Sequence, residues 1–333
     1  MSLFPTRVPA AYLFAAGAVI VAWGALGLYA GAQEGLSGGL YGPDYLAEQV
    51  PPGTGLQPGD RVISVEGIPV ERLGMESRWP GALRPRAGES RRFVVDRKGA
   101  RIPLDVVFPA PSRAAMETRL GAALFGVAFL LTGLWAYLGP ATHATSLFAA
   151  AGLSVGLSAS LGLGPHLGSW SGVPSHLSTT CLVVAAAVML EFFLVYPKPR
   201  DDAARAGLRW VIYLPCAVLI AAFATELAVH PALYHKVGWL PDLLVLGYAA
   251  LAVAAVAHTL YRTARHELLA SGMYLIAVGH LLTIFAMIAA AAFGAPAWTY
   301  GAAALPAPLA VALALRRQTA MASAQPAPGG ARG

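Results

Sequence analysis

Uninterrupted apolar runs limit what this chain can fold into. Ala10 to Gly31 is about 22 residues without a charge, and as a helix it would extend about 33 Å, enough to cross a bilayer core. From Leu120 the chain is again almost continuously apolar. Seven further spans read as Leu120–Leu138, Thr145–Leu163, Ser178–Tyr196, Trp210–Val229, Asp242–Tyr261, Ala270–Phe293 and Trp298–Leu315. With 57% hydrophobic and only 12% charged residues, the chain has more apolar surface than one soluble core can bury. The expected fold class is a polytopic α-helical membrane protein of about eight transmembrane helices. For the first run the rival is a cleavable signal peptide, since Ala30-Gly31-Ala32 resembles a small-residue cleavage site. Such a peptide has an apolar region of only about 7–15 residues, so an uncleaved anchor is expected.

Aromatic residues and charges orient these spans. Trp135, Tyr137, Tyr196, Trp210, Trp239, Tyr261, Trp298 and Tyr300 fall at or near the span ends, where an interfacial belt belongs. Eight spans put both termini on one side. If that side is cytoplasmic, the inner segments carry ten basic residues: Arg7, Lys198, Arg200, Arg205, Arg209, Arg262, Arg265, Arg316, Arg317 and Arg332. The short outer loops then carry only Lys236, as the positive-inside rule requires. Residues 1–9 become a cytoplasmic N-terminus and residues 316–333, rich in alanine, proline and glycine, a disordered cytoplasmic tail. The expected location is a cell inner membrane, in multi-pass form. An isoelectric point near 9.5 therefore reports topology, and no basic stripe with interleaved aromatics suggests nucleic acid. The two cysteines, Cys181 and Cys216, both lie inside spans, which excludes a disulfide framework.

Residues 33–118 are different material: polar, rich in arginine, glycine and proline, and nearly neutral, since 33–119 holds twelve Lys/Arg against eleven Asp/Glu. Within them Gly55 to Val70 reads Gly-Leu-Gln-Pro-Gly-Asp-Arg-Val-Ile-Ser-Val-Glu-Gly-Ile-Pro-Val. Pro58-Gly59 is a turn signal, Val62, Ile63 and Val65 form a β-branched run, and Glu66-Gly67 makes a second tight turn. Taken alone this is a β-hairpin pattern. Arg92–Val95 and Ile102–Phe108 read as two more strands around an Arg97-Lys98-Gly99 turn. Arg72 to Leu83 has room for a short helix limited by Pro80, and Pro109-Ala110-Pro111 is a stiff exit toward the membrane.

The Gly55–Val70 run also resembles the Gly-Leu-x-x-Gly-Asp-x-Ile-x-x-Val-Asn-Gly signature of PDZ domains, most of all the bacterial envelope kind. Gly55, Leu56, Gly59, Asp60 and Gly67 occupy its turn positions. The likeness covers about Gly38 to Pro109. It implies a small extracytoplasmic β-rich domain, inserted between the first and second transmembrane helices, that holds itself together without disulfides. In that family a loop of Gly-Leu-Gly-Phe type donates backbone N–H groups to a peptide C-terminus, which adds a strand to the sheet edge. Gly39, Leu40, Tyr41 and Gly42 are the residues here that match it, with a shorter stretch to Gly55 than is usual. The implied partner is a peptide or protein C-terminus in the envelope.

Catalytic patterns fail on context. Gly152-Leu153-Ser154-Val155-Gly156 matches the nucleophile elbow letter by letter, but an elbow needs strand, turn and helix, and this match sits in an apolar span. Its glycines are also a GxxxG pair, with Ser158 and Ser160 continuing a small face suited to close helix packing. His266-Glu267-Leu268-Leu269-Ala270 has alanine where a zinc-protease motif needs its second histidine. Neither a metal nor a cofactor is implied, and the chain is expected not to be an enzyme. Ionisable residues at membrane depth are the remaining functional candidates. His258 and His280 differ in depth by about 10 Å of helix, too much to share a metal. For each, a histidine hydrogen-bonded within the bundle is the simpler reading. Glu191 lies near the depth of His258, and the two are expected to pair across helices. Glu226 and Asp242, near span ends, can snorkel.

Leu190 to Arg200, reading Leu-Glu-Phe-Phe-Leu-Val-Tyr-Pro-Lys-Pro-Arg, resembles a Phe-x-x-Phe-Pro-x-Pro segment. That segment ends a helix in the multi-span input regions of some bacterial sensor histidine kinases, competence-pheromone receptors among them. Those regions share the order of one span, an extracytoplasmic PDZ-like domain and several spans. Tyr196 replaces a phenylalanine and no kinase segment follows Arg317, so kinase activity is not implied. The resulting expectation is a non-enzymatic sensor module, bilayer-embedded, whose PDZ-like domain recognises a peptide or other envelope ligand and signals to a cytoplasmic partner. The alternative is a scaffold or regulatory subunit of an envelope membrane protease. Alkaline-phosphatase fusions provide a direct test of the charge argument: activity is expected at Pro111 and none at Gln318, and the reverse pattern would invert the topology.

Overall fold

A computed structural model describes residues 8–33, 46–47, 50, 53–70, 86–139, 142–163, 172–197, 206–229 and 239–324. The apolar runs are helices: α1 Ala10–Gln33, α2 Arg113–Tyr137, α3 His143–Leu163, α4 Gly172–Val195, α5 Ala206–Val229 and α6 Leu240–Arg262. They continue as α7 Arg265–Ser271, α8 Met273–Ala292, α9 Trp298–Ala303 and α10 Pro306–Ala324. Among the described residues seven helical stretches are long and apolar enough to cross a membrane, and α5 is apolar over Gly207–Phe223 besides.

Helix α1 is packed small side in, large side out. Buried positions of α1 are Gly17, Ile20, Gly24, Gly27 and Gly31, a single stripe, while Tyr12, Val19, Leu26 and Tyr29 are exposed. Lipid tails are as apolar as leucine, so helices in a bilayer associate through close backbone approach instead of by hiding large side chains. The Gly152–Gly156 row of α3 lies against α2. A Cβ at Gly152 would stand 2.5 Å from the Phe129 carbonyl oxygen, and one at Gly133 would stand 3.2 Å from that of Phe148. The small face divides further along. Ser160 meets Gly24 of α1, whereas Ser158 turns to α4, where the Ser178 hydroxyl donates to its carbonyl at 2.7 Å.

Between α1 and α2 stands one antiparallel sheet of β1 Arg61–Val65, β2 Ile68–Pro69, β3 Ser90–Arg97 and β4 Ala100–Val107, in the order β2-β1-β3-β4. Its core is its own: Leu56, Val62, Val65, Val70, Phe93, Val95, Val106 and Phe108. Pro103 lacks an N–H and sits in β4, at the sheet edge among the described residues, where a proline is tolerated. Glu66-Gly67 and Lys98-Gly99 both have two consecutive positive φ values, 52° and 78°, then 54° and 87°. These are type I′ turns, whose twist suits two-residue hairpins. Gln57 to Asp60 is a type II turn with Gly59 at φ 89°, closed by Asp60 N–H donating to the Gln57 carbonyl at 3.0 Å.

Several expected boundaries move. The second span begins at Arg113, because Ser112 caps it by accepting from the Ala115 N–H at 3.2 Å. Gly272, at φ 76°, breaks the Ala270–Phe293 run and leaves α7 where a loop was expected. Pro306 divides the last span into α9 and α10, and the Thr283 hydroxyl accepts the Ala307 N–H at 3.0 Å. The tail expected to be disordered from 316 is helical as far as Ala324, through the good helix formers Arg316, Arg317 and Gln318. Residues 325–333 and Arg72–Leu83 lie outside the described residues. Trp210, Trp239 and Tyr261 are exposed as belt residues, but Tyr137 and Tyr196 are buried, their hydroxyls donating to the carbonyls of Val8 and Ser271.

Gly152→Leu is expected to destabilise the detergent-solubilised protein by about 1–3 kcal/mol in thermal melts, the usual cost of overpacking. Gly207→Leu, where a Cβ would meet no heavy atom within 4 Å, should melt with the parent. Equal melting of both variants would remove the α2–α3 seam as a determinant of the bundle.

Candidate functional site

Glu191 is on the last turn but one of α4 and is only 4% exposed. A carboxylate at that depth needs partners, because an unpaired charge in hydrocarbon costs at least about 2.5–3.5 kcal/mol. Three side chains from two other helices supply them. Arg209 and Tyr213, four residues apart on one face of α5, reach it through Nε at 3.0 Å and the phenol at 2.6 Å. His143, the first residue of α3, contributes Nε2 at 3.2 Å from the same Oε1 that Arg209 binds. The histidine and arginine side chains are 34% and 21% exposed, so the cluster has a wet rim and a dry floor.

His143 is in a contested position. Its Nε2 is also 3.2 Å from Nη2 of Arg209. A guanidinium only donates and a carboxylate only accepts, so one nitrogen cannot satisfy both neighbours. With a proton on Nε2 it donates to Glu191; with the proton on Nδ1 alone it accepts from Arg209. Two hydrogen-bond arrangements are therefore built into one set of side chains, and the position of a single proton selects between them.

The expected Glu191–His258 pair is corrected by this arrangement. Depth along the helices was a poor guide because direction around them differs. Leu190 and Leu194 of α4 face His258 across an apolar groove, while Glu191, about 100° around the helix, faces α3 and α5. His280 is held within its own helix, Nδ1 donating to the Ile276 carbonyl at 2.8 Å. Sequence reasoning counted Arg209 only as a topological charge and passed over His143. The available signal was the i, i+4 spacing of Arg209 and Tyr213 at the start of a span.

In the sheet domain, Gly55, Leu56, Gly59, Asp60 and Gly67 all fall in or beside turns, with Leu56 buried in the core. Asp60, 1% exposed, is the centre of a clasp. Its carboxylate accepts from Arg97 Nε and Nη2 at 2.7 and 2.6 Å and from the Gln57 N–H at 2.8 Å. Arg97 also donates to the Gly55 carbonyl at 3.1 Å, so one guanidinium ties both sides of the signature loop to β3. Leu46 bridges to Arg61, and the Ala47 N–H donates to the Asp60 carbonyl at 2.7 Å, bringing the chain that follows Gly39–Gly42 beside this turn. Gly39, Leu40, Tyr41 and Gly42 themselves lie outside the described residues. Among the described residues no group of three or more His, Cys, Asp or Glu is placed to hold a metal ion. No family model matches the chain, and no match is found among curated proteins or solved structures.

Two predictions follow from these contacts. Hydrogen bonding from Arg97 holds the Asp60 carboxyl below the usual carboxylate range, against the opposing effect of its burial. A depressed folded pKa stabilises the fold at pH values above the unfolded value, about 4, and that contribution is lost as pH falls through the lower folded value. A fragment from Gly38 to Pro111 should therefore lose thermal stability below about pH 4. Arg97→Gln should melt lower than the parent at neutral pH and show a weaker acid dependence. In the bundle, a double-mutant cycle of Glu191→Gln with Arg209→Gln should give a coupling of about 0.5–3 kcal/mol, whereas Glu191→Gln with His258→Ala should be additive.

Proposed function

We propose that this chain is the sensing part of a membrane receptor, with the sheet domain as the outer, ligand-recognising element and the bundle as the relay to a cytoplasmic partner. The observation that carries the reading is the continuity of contacts from sheet to polar cluster. The base of the sheet meets α1, where the Ala87 N–H donates to the Gln33 carbonyl at 3.0 Å. Its last strand leads through Pro109-Ala110-Pro111 into α2. At the other end of α2 the Tyr137 hydroxyl donates to the Val8 carbonyl at 2.7 Å, so the two helices that enclose the domain are joined there as well. A short connection then delivers the chain to His143, and from His143 to Glu191 and α5.

A displacement of α2 relative to α4 would alter which neighbour His143 Nε2 serves, giving the relay a two-state element. The PDZ likeness of the signature loop makes a peptide with a free C-terminus the favoured ligand class. Eight spans with both termini cytoplasmic complete the proposal, on the strength of the ten-to-one basic asymmetry.

Hydrogen exchange of the full chain in lipid nanodiscs tests it. Peptides with free C-termini should slow exchange in 46–70 and change it around His143 and the start of α5, while their amidated versions should do neither. Protection confined to the sheet would leave a binding domain without a relay, and no change anywhere would overturn the receptor reading.

A further inference from the structure

The bundle carries a second feature on a neighbouring face of α4, about 100° around the helix from Glu191. A groove of about 360 Å³ opens laterally between α5 and α6, with α4 as its floor. This is within the range of about 300–1,000 Å³ common for ligand pockets. Leu194 of α4, Leu208 of α5 and Tyr248, Leu251, Ala254 and His258 of α6 line it, and the wall is apolar except at its two ends. At one end the Tyr248 hydroxyl is occupied, donating to the Ile212 carbonyl at 2.6 Å. At the other end is the exposed imidazole of His258, with exposed Arg262 one helical turn beyond it and Arg265 just past the end of α6.

We infer that this groove holds one acyl chain of an anionic phospholipid, with its phosphate at the His258–Arg262 end. Three observations commit the groove to this occupant. Tyr248 and His258 are ten residues apart on α6, which is about 15 Å of helix and matches half of a hydrocarbon core of about 30 Å. The groove thus has the height of a single leaflet. Its lining is apolar where a chain would lie, so water entering it would find few polar partners. Among the described residues its cationic side chains are grouped at one end, where a headgroup of that leaflet would sit and where each basic residue adds to the attraction for an anion. A protein helix laid in the same groove would not need charges confined to one end. The inference is independent of what the sheet domain recognises.

Native mass spectrometry of the full chain, purified in detergent doped with phosphatidylglycerol or phosphatidylcholine, tests it. The parent should retain one phosphatidylglycerol, at least tenfold more tightly than phosphatidylcholine. Ala254→Trp, which fills the groove from an exposed position of α6, should abolish that retention. Arg262→Gln, a surface change, should bring the two lipids to equal affinity. Parent-like retention by Ala254→Trp would place the lipid elsewhere, and equal retention of both lipids by the parent would overturn headgroup recognition. Loss of a dimer in place of a lipid with Ala254→Trp would assign the groove to a second copy of the chain.

Discussion

The rest of the bundle depends on how closely α2 and α3 approach. Gly126 and Gly133 of α2 meet Gly152 and Gly156 of α3; a side chain at Gly126 or Gly152 would collide with the opposing helix, and one at Gly133 or Gly156 would press tightly on it. In hydrocarbon this matters more than in water. No hydrophobic force draws helices together there, so dispersion at close range and hydrogen bonding must do so. The same seam sets where α3 begins relative to the end of α2, and His143 is its first residue. Without it the imidazole would not be presented to Glu191, and α3, α4 and α5 would lose the polar group they share.

That group has the economy of a buried charge that three helices need at once. Removing one partner leaves the others desolvated and unpaired, which is costlier than the pair itself is favourable. The conflict at His143 adds something a simple ion pair lacks. An ion pair has one best geometry, whereas a nitrogen between a pure donor and a pure acceptor has two of comparable quality. In the proposed relay, small motions of α2 would then produce a change of partner instead of a gradual weakening.

Much of the fold was legible because its signals are local. Apolar run length marked the helices, and Glu66-Gly67 and Lys98-Gly99 marked hairpins, since few residue pairs tolerate two left-handed positions in succession. Gly152 and Gly156 announced a close approach, although not the helix that would make it. What was not legible depends on azimuth and on contact across the chain. Glu191 and His258 share a depth but point to different sides of α4. Tyr137 and Tyr196 have the composition of belt residues, yet their hydroxyls find carbonyls inside the bundle. Arg97 gave no sign in the sequence that it would close on a carboxylate in the signature loop 37 positions earlier.

The β3–β4 ladder has a further consequence for reach. Its register is unbroken from Ser90–Val107 to Arg97–Ala100, and eight strand residues span about 26 Å. The end at Ser90 and Val107 adjoins Gln33 and the start of α2, while the Asp60–Arg97 clasp sits at the other. The hairpin is thus a stiff arm with its fastening at the root and its signature loop at the hand. In the proposed receptor, a ligand at that loop would act with the leverage of the whole strand length, and the twist of the ladder would set the direction in which α2 is pulled.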